Sequence, residues 1–171
     1  MGNTWYRGSV SLSFVTGRSN PAPTKIMFKT IDHIAIATDD IDGALSVYRD
    51  IFGIAVTDRR VFKELGVEVA SLRIGESCIE FVKPLDKDSK VAKFLQERGE
   101  GIHHIAFQVE DIEKSIEELK AKGIQIVSDG IKKGIEGKRI AFLHPKSCHG
   151  VLIELCEIQT HLFEKKHDRG T

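Results

Sequence analysis

At 171 residues and 41% hydrophobic composition, the chain is long enough to bury a core, as one domain or as two small modules fused together. Its 25 Lys and Arg balance 25 Asp and Glu, so no overall field draws it to nucleic acid or to an anionic membrane. No apolar run approaches the roughly 20 residues of a membrane helix. Cys78, Cys148 and Cys156 have no CxxC spacing and suit a reducing compartment such as the cytoplasm rather than a disulfide framework; all three read as small apolar filler.

Residues 1–26 carry Arg7, Arg18 and Lys25 but no acid, and 19–24 (Ser-Asn-Pro-Ala-Pro-Thr) are linker-like. Residues 1–28 therefore read as an N-terminal extension, with Met27 as the natural start and an acid-poor leader as the alternative. A strand is expected at 31–37. Thr38-Asp39-Asp40 offers an N-cap, and Ile41, Ala44, Leu45, Tyr48 and Phe52 recur at helical spacing up to Gly53. Strands follow at about 54–62, 68–74 and 77–83, the last two joined by a Gly75-Glu76 turn. Ser89 caps a short helix (Val91, Phe94, Leu95) that ends at Gly99 and links two halves along the surface.

A strand at 102–109 leads through Glu110-Asp111 into a helix marked by Ile112, Ile116 and Leu119 and stopped by Gly123. Strands at 124–128, 139–144 and 150–157 complete the folded part, and 159–171 read as a solvated tail. The second half thus repeats the first. Asp32-His33-Ile34-Ala35-Ile36 returns as His103-His104-Ile105-Ala106-Phe107, and Cys78-Ile79-Glu80-Phe81-Val82 returns as Leu152-Ile153-Glu154-Leu155-Cys156. The interval from His33 to His104 nearly equals that from Glu80 to Glu154. The pattern predicts an α+β fold in which two tandem βαβββ modules, 29–84 and 101–158, share one curved mixed sheet within a single domain at 29–158, with the linker helix inside 85–100. Neither module could bury both faces of its own short sheet.

The repeat singles out four side chains. Glu80 and Glu154 each interrupt an apolar strand, where an unpartnered carboxylate costs several kcal/mol or takes up a proton. For either alone, a solvent-facing position is the simpler reading. Two at equivalent positions, each in a copy opening with a strand His, point to a cage of His33, Glu80, His104 and Glu154. Two imidazoles and two carboxylates suit one borderline divalent ion, Co, Zn, Ni or Mn, with positions left for water or a chelating substrate. His103 aligns with Asp32, and alternation turns it to the opposite face as a structural or supporting residue. His144, in a loop before Pro145, is a candidate lining residue; His149 has no repeat partner, and His161 and His167 belong to the tail.

These stretches resemble the vicinal oxygen chelate superfamily of paired βαβββ modules and, within it, the methylmalonyl-CoA epimerase family. The resemblance covers about residues 30–158. It is carried by Asp32-His33-Ile34-Ala35-Ile36-Ala37, by Pro84-Leu85 through Val91-Ala92-Lys93-Phe94-Leu95, by Gly101-Ile102-His103-His104-Ile105-Ala106, and by Phe142-Leu143-His144-Pro145-Lys146-Ser147 with Gly150-Val151-Leu152-Ile153-Glu154-Leu155. It implies a metal held by His33, Glu80, His104 and Glu154, a CoA thioester substrate, a homodimer, and interconversion of (R)- and (S)-methylmalonyl-CoA by proton transfer through a metal-stabilised enolate. Glu154 is then the favoured base and Glu80 its partner. Some relatives place a second acid on the strand after the equivalent of Gly66-Val67, where this chain has Val69, with Glu68 one residue earlier and facing the other way.

The charged residues Lys87, Lys90, Lys93, Lys132, Lys133, Lys138, Arg139 and Lys146 are available for phosphates, but none is singled out. Three other readings compete: a glyoxalase I acting on a glutathione hemithioacetal, an extradiol-type iron oxygenase using two His and one Glu, and a non-enzymatic binding module of the same fold.

Overall fold

The computed structural model describes residues 27–127 and 130–157, so the extension at 1–26, the tail with His161 and His167, and Ser128 lie outside the described residues. The first module runs β1 (Ile31–Ala37), α1 (Ile41–Tyr48), β2 (Val56–Phe62), β3 (Val67–Ile74) and β4 (Ser77–Pro84). Helix α2 (Lys90–Arg98) leads to β5 (Gly101–Val109), α3 (Ile112–Ala121), β6 (Lys132–Lys133), β7 (Arg139–Leu143) and β8 (Ile153–Glu157). The strands form one mixed sheet in the order β2-β3-β4-β1-β5-β8-β7-β6. That order reads alike from both ends. β1 pairs parallel with β4, β5 pairs parallel with β8, and the two halves join where β1 and β5 run antiparallel.

Each helix starts where the sequence supplies a cap. Asp40 accepts a hydrogen bond from the Gly43 amide, Ser89 from Ala92 and Asp111 from Lys114. Ile41 and Leu45 of α1 pack on Ala70, Leu72 and Phe81, while Ile112 and Ile116 of α3 pack on Val109, Ala141, Leu143 and Leu155. Strand alternation turns the residues between these toward the opposite face. There Ala35, Val67, Val69 and Val82 form a third apolar cluster, on the side that carries the repeated polar residues.

Two local expectations need correction. Helix α1 stops at Tyr48, four residues early, because the chain turns through Gly53 (φ 71°) into β2. Phe52 is therefore 60% exposed and rests edge-on against Tyr48 instead of continuing the buried stripe. The strand expected at 124–128 shrinks to an isolated bridge between Ile126 and Leu143. The edge of that half is the two-lysine β6, short and charged as exposed edges tend to be. Beyond it, a 3-10 turn at Ile135–Gly137 brings Ile135 onto the Val67, Val69 and Val82 cluster of the first module.

Leu155 is fully buried in the α3 cluster. Leu155→Ala should lower the unfolding free energy by about 2–5 kcal/mol in denaturant titrations. Phe52→Ala should cost less than about 1 kcal/mol, since little contact is lost at that exposed ring.

Candidate metal and proton-transfer site

The site is built on irregularities of the β1–β5 ladder. Ile31 pairs with Phe107 and His33 with Ala106, so Asp32 is one extra residue in β1; Ala35 pairs with His104 and Ile36 with Ile102, so His103 is one extra residue in β5. A β-bulge breaks strict alternation and re-aims side chains. Asp32 and His33 consequently face the same cavity, as do His103 and His104. This overturns the alternation argument that sent His103 to the opposite face. The two bulges occupy equivalent positions of the repeat.

The next inward residues along β1 and β5 are Ala35 and Ala106, each fully buried and each paired directly with a glutamate: Ala35 with Glu80, Ala106 with Glu154. A methyl group at those positions leaves room for the carboxylate to lie over the strand. His33 Nε2 and His104 Nε2 come within 3.1 Å of each other. Glu154 Oε2 lies 3.1 Å from His104 Nε2, and Glu80 Oε2 lies 3.8 Å from His33 Nε2. His33, His104 and Glu154 are all more than nine-tenths buried. The sheet therefore brings all four repeated residues together, with Glu80 slightly withdrawn.

Surrounding groups orient the imidazoles. His33 Nδ1 donates to Asp32 Oδ2 at 2.9 Å, and Asp32 is held in turn by Gln108 at 2.8 Å and by Lys138 Nζ at 3.1 and 3.2 Å. His104 Nδ1 meets His103 Nδ1 at 2.8 Å. Burial, reinforced by His104, pushes the His103 pKa down to about 4, so a neutral His103 accepts the His104 Nδ1 proton. Both rings are then fixed with Nε2 lone pairs facing inward. Burial opposes charge on His33, but Asp32, Glu80 and Glu154 outweigh it and hold the His33 pKa above its ordinary value. Burial would likewise raise the Glu154 pKa, yet His104, His33 and the Cys156 thiol keep it below the usual range. Asp32, also opposed by burial, is held far below the carboxylate range by His33, Gln108 and Lys138.

This donor set fits a cation. Two inward lone pairs and two carboxylates form an electronegative cage whose charge the Asp32–Lys138 pair does not offset. The 3.1 Å spacings that link His33 Nε2, His104 Nε2 and Glu154 Oε2 are what two atoms at right angles, each about 2.0–2.2 Å from a common ion, would have, whereas Glu80 Oε2, at 3.8 Å from His33 Nε2, stands outside that close group. His33, His104 and Glu154 bring ligand atoms close enough together to hold one divalent ion, with Glu80 the next carboxylate beside them.

The cage opens into a cavity of about 650 Å³ that is lined also by Val67, Val69 and Val82 of the aliphatic cluster and by Lys90, Lys132 and Lys133. Val69 faces it, whereas Glu68 faces the helices and pairs with Arg59 at 2.9 Å, as alternation predicted. Helix α2 does more than link the halves, since Val91 lines the cavity and Phe94 stands edge-on to His103 at 5.1 Å between ring centres. His144 does not line the cavity; its Nδ1 accepts from the Lys146 amide and caps a 3-10 turn. Cys156 is not mere filler. Its Sγ donates to Glu154 Oε1 at 2.9 Å, and burial beside that carboxylate keeps it a thiol. Sequence reasoning missed the roles of Asp32, Gln108, Lys138, Ser71 and Cys156. A partial signal existed for two of them: Asp32 precedes the strand His as His103 does, and Cys156 shares strand parity with Glu154.

Residues 32–142 match the model of the Glyoxalase/Bleomycin resistance protein/Dioxygenase superfamily, the class that paired βαβββ modules around such a cage define. Methylmalonyl-CoA epimerase of human mitochondria is 40% identical over 126 residues, covering 73% of this chain and 72% of that one. The ethylmalonyl-CoA/methylmalonyl-CoA epimerase of Cereibacter sphaeroides is 36% identical over 134 residues, covering 77% of this chain and all of that one (100%). A variant of the Streptomyces coelicolor methylmalonyl-CoA epimerase, solved with 2-nitronate-propionyl-CoA, superimposes with a TM-score of 0.72 at 40% identity and covers 77% of this chain and 99% of its own. The chain belongs to the methylmalonyl-CoA epimerase family of that superfamily.

Titration calorimetry with cobalt(II) or zinc(II) should give one ion per chain, with His33→Ala or His104→Ala weakening binding at least 100-fold and Asp32→Asn by about 10–100-fold. Ligation needs an unprotonated imidazole, and the His33 pKa is raised. Affinity should therefore fall as pH drops through a value above the ordinary histidine range, with proton release on binding. In NMR titrations of the metal-free protein, His103 should stay neutral down to about pH 4.

Proposed function

We propose that this chain interconverts (R)- and (S)-methylmalonyl-CoA by carrying the α-proton from one face of the carbon to the other. His33, Glu80, His104 and Glu154 hold one divalent ion (Co, Zn, Ni or Mn), and Glu154 and Glu80 exchange the proton. One observation carries this reading: two carboxylates approach a single pair of imidazoles from opposite modules, so a substrate bound between them presents one face to each.

When bound, the cation supplies the Lewis-acid charge that a developing enolate oxygen requires. The rest falls to the chain's own side chains. Glu154 is kept ionised by its neighbours in spite of its burial, so it is an acceptor for the α-proton. The C–H bond breaks, its proton passes to a Glu154 oxygen, and the electron pair moves onto the thioester carbonyl. A proton passing from solvent through Glu80 on the other side then forms the new C–H bond with inverted configuration. Val69 carries no proton-transferring group and Glu68 faces the helices, so Glu80 is the carboxylate of the first module on the Nε2 side of His33. Val67, Val69, Val82 and Ile135 shield that side from water. Lys90, Lys132 and Lys133 line the same cavity and give an anionic CoA chain cationic partners.

Free cysteines at 78, 148 and 156 suit a reducing compartment, which we take to be the cytoplasm. A homodimer rests on family likeness, and light scattering that gave a monomer mass would overturn it.

In heavy water with cobalt(II), methylmalonyl-CoA should lose its α-proton NMR signal and racemise at that carbon. Glu154→Gln should reduce the rate by about 10²–10⁴-fold. Absence of exchange, with turnover of a glutathione hemithioacetal instead, would assign the site to lyase chemistry.

A further inference from the structure

Each glutamate of the pair has one oxygen tied and one oxygen directed inward. Glu80 Oε1 accepts from the Ser71 hydroxyl at 3.3 Å while Oε2 faces His33. Glu154 Oε1 accepts from the Cys156 thiol at 2.9 Å while Oε2 faces His104. The two donors do not occupy equivalent positions of the repeat. Ser71 lies on β3, directly across from Glu80, and the matching residue across from Glu154 is Phe142, whose ring packs on His104 and has no donor. Cys156 lies two residues beyond Glu154, and the matching residue beyond Glu80 is Val82. Each module thus carries one donor out of two available positions, and the two modules chose opposite ones. Duplication alone would have copied the same position; the common outcome is a tether on the carboxylate oxygen that does not face the imidazoles.

Resting on the epimerase reading above, we propose that Ser71 and Cys156 are positioning residues for the two proton transfers, each fixing the plane of its glutamate so that the carboxylate is held in one orientation for exchange of the α-proton. A carboxylate free to rotate would offer either oxygen and hold neither lone pair in line with the C–H bond. The tethers act on opposite faces of the substrate. Ser71 serves the face that meets Glu80, and Cys156 serves the face that meets Glu154.

This division is measurable, because each epimer directs its α-proton to one glutamate only. The metal-loaded protein is incubated in heavy water with methylmalonyl-CoA enriched in one epimer, then with the other, and deuterium entry is compared with inversion. For Ser71→Ala, inversion should fall about 10–100-fold, as expected for a lost hydrogen bond to a charged group. Exchange without inversion should persist for the epimer whose proton faces Glu154. Cys156→Ala should show the converse, with exchange persisting for the other epimer. Ser71→Thr and Cys156→Ser, which keep a donor, should retain inversion and wild-type ratios. A partly misfolded variant lowers both epimers alike and cannot imitate the split. Equal slowing of exchange for both epimers, or loss of inversion in the donor-keeping variants, overturns the tethers while leaving the epimerase reading intact. A wild-type protein that exchanges neither epimer overturns that reading and this inference with it.

Discussion

The structure turns on the cost of burying charge. Glu154, Asp32 and two imidazoles sit on one sheet face with little access to water, and carboxylates in such surroundings survive ionised only if neighbours compensate them. Lys138 and Gln108 compensate Asp32, and Asp32 in turn polarises His33. Glu154 and Glu80 are faced instead by the imidazoles of His104 and His33. The arrangement is therefore an electrostatic demand, met by a proton on His33 or by a metal ion. The same demand makes a site that can stabilise charge appearing on a bound carbonyl.

The backbone meets that demand with two one-residue bulges. A regular strand could direct either Asp32 or His33 inward, but not both, and the same holds for His103 and His104. The extra residues place an orienting partner beside each imidazole. The partners differ in kind. An ionised Asp32 raises the basicity of His33, while a neutral His103 only fixes the ring of His104. The two halves of the cage are thus alike in shape and unlike in electron donation.

Much of this was legible in the amino-acid order. The paired modules, the sheet they share and the convergence of positions 33, 80, 104 and 154 follow from a duplicated pattern in which strand parity and register are preserved. What escaped were departures from regularity. The bulges at Asp32 and His103 leave no mark in an alternation pattern, because one residue too many looks the same as a change of face. The apolar character of 124–128 predicts a strand, of which only the bridge at Ile126 forms. Instead, Gly130 turns the segment and Ile135 finds its partners in the other module, a long-range contact invisible to local pattern. Lys138 was one basic residue among many until folding placed it against Asp32, 106 positions earlier. The thiol at Cys156 and the hydroxyl at Ser71 were equally anonymous without the carboxylates they touch.

The antiparallel seam between β1 and β5 has a further consequence. Each half of the molecule contributes one imidazole and one carboxylate, too few to grip a divalent ion well by itself. An ion held between them would fasten the halves together like a rivet, on the side of the sheet opposite α1 and α3. Its binding free energy adds directly to the work of prising the halves apart, growing with the logarithm of free ion concentration. Loading and cohesion would then be one equilibrium, and starving the protein of metal would loosen the molecule along its own line of symmetry.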